Sequence, residues 1–73
     1  MSRTNSFRVR IRELAKEQNL KLKEVADRSG VNYNTVKSYA RTEVMSMADI
    51  VALIRIAQAL GVTVEELVEI IEG

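Results

Sequence analysis

Ten of the chain's eleven lysine and arginine side chains fall within residues 1 to 41, beside only four carboxylates. That half therefore carries +6, from ten minus four. Residues 42 to 73 hold Arg55 and six acids, one minus six, or −5. A basic half attracts a polyanion, and an acidic half suits solvent. Other chemistry is poorly provided for. The chain has no cysteine and no histidine, which removes thiolate and imidazole metal ligands, the cysteine nucleophile and the commonest general base. Glu65, Glu66, Glu69 and Glu72 read as a solvated face. No catalytic residue, metal, cofactor or small-molecule ligand is expected, and an enzyme is not.

The elements that must position the basic residues read as short helices. Gly30, Gly61 and Gly73 are the only glycines, and proline is absent. Met1 to Ser6 reads as a flexible polar arm, and residues 7 to 73 as one domain. From Phe7 to Asn19 two periods compete. Phe7, Ile11, Leu14 and Ala15 recur at helical spacing, whereas Phe7 to Arg12 alternates as a strand would. The strong helix formers from Arg12 to Gln18 favour a helix. A second helix is expected over Lys21–Ser29, closed by Gly30, and a third over Tyr33–Arg41, capped by Asn32. Ser46 is the expected cap of a fourth helix, Met47–Leu60, which Gly61 ends. Thr63 and Glu66 form a capping box for a fifth, starting at Val64. The class is all-α, a compact five-helix bundle. No apolar run approaches the roughly 18 residues that would span a bilayer, so the expected location is the cytoplasm.

Within Leu22–Arg41, Ala26 offers a small surface where two helices cross, Gly30 a positive φ for the turn, and Val36 a buried contact from the second helix. Two helices joined by a tight glycine-containing turn are a helix-turn-helix. The stretch Leu22-Lys-Glu-Val-Ala-Asp-Arg-Ser-Gly-Val-Asn-Tyr-Asn-Thr-Val-Lys-Ser-Tyr resembles the central helices of the phage-repressor and Cro type (Xre-like) of helix-turn-helix domain. Ile54-Arg-Ile-Ala-Gln-Ala-Leu-Gly-Val-Thr-Val-Glu-Glu-Leu resembles that family's fourth helix and the start of its fifth. The resemblance runs over roughly residues 8 to 71. It departs at Leu22, where the family often has glutamine, and at Ala40-Arg41-Thr42, where it often has Glu-Arg-Gly.

The resemblance implies a λ-repressor-like domain that binds double-stranded DNA with its third helix in the major groove. It places Tyr33, Asn34, Lys37 and Ser38 at base edges. Lys21, Lys23, Asn32, Thr35 and Arg41 fall at the sugar-phosphate backbone, with Arg3 and Arg8 extending the electrostatic footprint. Tyr39 reads as core. The surplus apolar surface of the C-terminal helix (Leu67, Val68, Ile70, Ile71) offers a homodimer interface suited to a palindromic site. The resulting reading is a prokaryotic or phage transcriptional regulator at the nucleoid, a repressor in preference to an activator. An antitoxin that docks a toxin, and a protein-interaction module that has lost DNA binding, are the alternatives; Leu22 favours the latter.

Overall fold

The computed structural model describes residues 5–41 and 47–72. Their order is β1 (Asn5–Val9), α1 (Ile11–Glu17), α2 (Leu22–Ser29), α3 (Tyr33–Arg41), α4 (Ile50–Leu60), α5 (Val64–Leu67) and β2 (Val68–Glu72). The fold is mostly helical, but two strands correct the all-α expectation. β1 and β2 pair antiparallel, with Phe7 opposite Ile70, Arg8 opposite Glu69 and Val9 opposite Val68. The alternation from Phe7 therefore prevails over the helical spacing as far as Val9, and α1 begins only at Ile11. At the other end the expected fifth helix stops after one turn, and Val68–Glu72 turns to strand. Phe7, Val9, Val68 and Ile70 stack as apolar cross-strand pairs on one side of the ribbon, an arrangement that favours β-branched and aromatic residues. Asn5 and Ser6, which end the expected arm, lie in β1.

The helices start and stop largely as their capping residues dictate. Gly30 and Gly61 take left-handed conformations, at φ 73° and 69°, and close α2 and α4. Thr63 and Glu66 form their reciprocal capping box. For α4 the cap is Asp49, whose Oδ1 accepts from the amides of Val51 and Ala52. The helix begins at Ile50 rather than Met47; Ser46, the expected cap, lies outside the described residues. α4 is the central element. Its buried side, Ala52, Leu53, Ile56, Ala57 and Leu60, faces a core whose fully enclosed side chains are Ile11, Val25, Val36, Ile56 and Leu67. That core joins α2 and α3 to the ribbon, because Val9 of β1 lies in it with Val25, Ala26 and Val36, and the Arg10 amide donates to the Leu67 carbonyl at 2.8 Å.

Arg8 is held on the ribbon by two acids. Its Nη2 lies 2.9 Å from Glu13 and 2.8 Å from Glu69. The hydrogen bond from Arg8 is the main cause that holds the Glu13 carboxyl below its ordinary value of 4.5. A lowered carboxylate stabilises the fold above its unfolded value and loses that contribution as pH falls through its folded value. Acid titration below about pH 4.5 should therefore weaken the wild type more than Glu13→Gln. The difference should be small, since both side chains are solvent-accessible. Thermal unfolding at pH 7 and pH 3 checks it; an equal acid loss in both proteins would refute it.

Candidate nucleic-acid interface

The turn between α2 and α3 is fixed by several local bonds. The Gly30 amide donates to the Ala26 carbonyl at 2.9 Å. Ser29 is buried, and its hydroxyl donates to the same carbonyl while accepting from the Val31 amide, each at 3.2 Å. Asn32 Oδ1 then accepts from the Asn34 amide at 2.7 Å, the side-chain cap that starts α3. Val25, Ala26 and Val36 are buried, so α3 packs one face inward and turns the other to solvent.

At about 100° per residue, Tyr33, Lys37, Arg41, Asn34 and Ser38 fall in that order along an arc of about 140°. All five are exposed. Lys37 Nζ sits 5.1 Å from the centroid of the Tyr33 ring, one helical turn away. This cation–π contact keeps both side chains on the outer face. The residues expected at base edges thus share one surface, with Arg41 among them.

The residues expected at the backbone separate into groups. Lys21 and Lys23 are exposed at the start of α2, where the Lys21 amide donates to Glu24 at 2.8 Å. Asn32 and Thr35 line a cleft of about 260 Å³ with Gly30, Asp49, Val51 and Arg55, on the α4 side of α3. Leu22 is partly buried against the core, so its apolar character serves packing. Tyr39 is partly buried, as expected, and its hydroxyl accepts from the Asp49 amide at 2.9 Å, tying α3 to the start of α4.

Three arginines of the basic half are engaged elsewhere. Arg8 is neutralised by its two acids, which corrects the expectation that it extends a phosphate footprint. Arg10 donates to the Glu66 carbonyl, and Arg12 to the Ala40 carbonyl at the end of α3. Arg3 lies outside the described residues. The apolar C-terminal residues also change standing. Leu67 is completely buried and belongs to the core, whereas Ile70 is 65% exposed on β2.

Two helices packed on a common core, with a glycine turn between them and the polar face of the second turned outward, define a helix-turn-helix nucleic-acid-binding domain. The chain belongs to the family of Cro/C1-type helix-turn-helix DNA-binding domains, whose family model matches residues 10–73. No curated protein and no solved structure matches it. DNA binding of the kind used by transcriptional regulators follows from this membership. Among the described residues no helix is long and apolar enough to cross a membrane.

Proposed function

We propose that the protein is a sequence-specific transcriptional repressor that occupies an operator and excludes polymerase, with no catalytic step and no cofactor. The observation that carries this reading is the continuous outward arc of Tyr33, Asn34, Lys37, Ser38 and Arg41 on α3. Asn34 pairs two hydrogen bonds with an adenine, Lys37 reaches a guanine or a phosphate, and Tyr33 packs on a thymine methyl. Arg41, Lys21 and Lys23 hold the sugar-phosphate backbone without reading it. The packing of Leu22 against the core supports DNA binding over a module that has lost it, because an apolar residue there has a structural reason. A homodimer remains part of the proposal, now through the ribbon. Ile70, 65% exposed and paired with Phe7, supplies the apolar surface instead of a C-terminal helix. The protein acts in the cytoplasm, where its DNA is.

Titration with random-sequence duplex DNA at several salt concentrations tests the reading. Binding should weaken steeply with salt, by close to one logarithmic unit of affinity per logarithmic unit of salt for each phosphate neutralised. Arg41→Ala should lower affinity on every sequence alike and flatten that slope by about one. Absence of binding at low salt would sink the proposal and turn attention to a protein partner.

A further inference from the structure

α4 reads Ile-Val-Ala-Leu-Ile-Arg-Ile-Ala-Gln-Ala-Leu, and Arg55 is its one charged residue. It is also the single basic residue after Arg41 in the whole sequence. The fold returns it to the basic half. Its guanidinium comes 4.0 Å from the position a Cβ would take on Gly30, in the turn that precedes α3. Arg55 is exposed and lines the same cleft as Asn32 and Thr35. Among the described residues no carboxylate forms an ion pair with it. The one acid that lines the cleft is Asp49, whose Oδ1 is committed to the first amides of α4.

The arc on α3 has two flanks. On one, Arg12 donates to the Ala40 carbonyl and lines a cleft shared with Lys21, so this side meets the start of α2. On the other, Tyr39 is bonded to Asp49 and Thr35 faces the cleft, so this side meets the start of α4. A helix lying in the major groove has a phosphate strand on each side. Lys21 and Lys23 serve the first flank. Arg55 is the only cation found at the second, among the described residues.

We infer that Arg55 is a DNA-backbone contact, a phosphate clamp supplied by α4 that works with Thr35 and Asn32 on the strand opposite Lys21 and Lys23. The inference rests on the DNA-binding reading above. A planar guanidinium can grip a phosphate with two parallel N–H bonds, which lysine cannot. Arg55 would position the protein in the groove without reading sequence.

The test compares wild type with Arg55→Ala, Arg55→Lys and, as reference, Arg41→Ala, on random duplex DNA over a salt series. Thermal unfolding runs beside it. Arg55→Ala should bind about tenfold or more weakly on every sequence, with a salt slope flatter by about one. Arg55→Lys should recover the slope but only part of the affinity, and the unfolding midpoints should stay close to wild type. Wild-type affinity and slope in Arg55→Ala, with Arg41→Ala impaired, would overturn the clamp while leaving DNA binding intact. A loss of affinity matched by a fall in folded fraction would overturn it too, because Arg55 would then be structural. Failure of wild type itself to bind would remove the reading on which the clamp depends.

Discussion

Replacing Asn34 and Lys37 together by alanine is expected to leave a folded protein that still binds DNA but no longer prefers one sequence over another. Both side chains are exposed on α3, and neither touches the core. The cap on α3 survives, because the bond that Asn32 accepts comes from the Asn34 backbone amide, not from its side chain. Alanine has the higher helix propensity, which offsets the loss of the Lys37 contact with Tyr33. Binding to DNA of any sequence should persist through Arg41, Lys21 and Lys23, with the salt slope lower by at most one unit. Discrimination should collapse. A bidentate pair with a base is worth about 1–3 kcal/mol, so the loss of Asn34 alone should cut the preference for a selected site by about fivefold to 150-fold. The measurement is the ratio of affinities for a selected site and a random duplex at one salt concentration. A ratio unchanged in the double variant would move sequence reading away from the centre of α3.

The centre of the molecule was legible in the sequence because its signals are local. Gly30 and Gly61 are needed where the backbone enters the left-handed region, Asn32 and Thr63 bond to amides two or three residues on, and Val36 falls on the inner face by helical period. Such signals need no knowledge of the rest of the chain. The two ends were misread for the opposite reason. Phe7-Arg8-Val9 supports either period, and its strand form depends on Val68-Glu69-Ile70 about sixty residues away. Neither segment announces the other. The clue was a charge match, Arg8 against Glu69, which only pairing makes visible. Asp49 was missed as the cap of α4 because Ser46 also precedes the apolar run. The bond from the Asp49 amide to the Tyr39 hydroxyl, which fixes where α4 starts, is again a contact between elements. Arg55 was overlooked as a binding residue for a similar reason. Its sequence neighbours are the apolar Ile54 and Ile56 of α4, and its neighbours in space are those of the turn. A lone charge within a mostly apolar helix was the available signal.

Leu67→Ala is expected to be the most damaging single change to stability, since this residue joins the helices to the ribbon. Its side chain is fully buried, and its carbonyl accepts from the Arg10 amide at 2.8 Å. It is also the last residue of α5 and the neighbour of the first residue of β2, so the chain changes conformation there. Truncating a buried leucine costs about 2–5 kcal/mol, depending on how far the cavity collapses. A domain of this length has a total stability of roughly 4–11 kcal/mol, at about 0.05–0.15 kcal/mol per residue. The loss is therefore a large share of the whole, and the unfolding midpoint should fall by about 8–40 °C, at about 4–8 °C per kcal/mol. Ile70→Ala, at a position of β2 that is 65% exposed, is the matched control and should shift the midpoint little in a dilute monomer. Circular dichroism melts of the two variants decide the matter. If both fell equally, Leu67 would not be the junction between core and ribbon, and the distinction between a core residue and an available surface residue at this end of the chain would fail. If Ile70→Ala lost stability only at high protein concentration, the exposed surface around Ile70 would be where two copies associate, because only an association that adds to stability depends on concentration in that way.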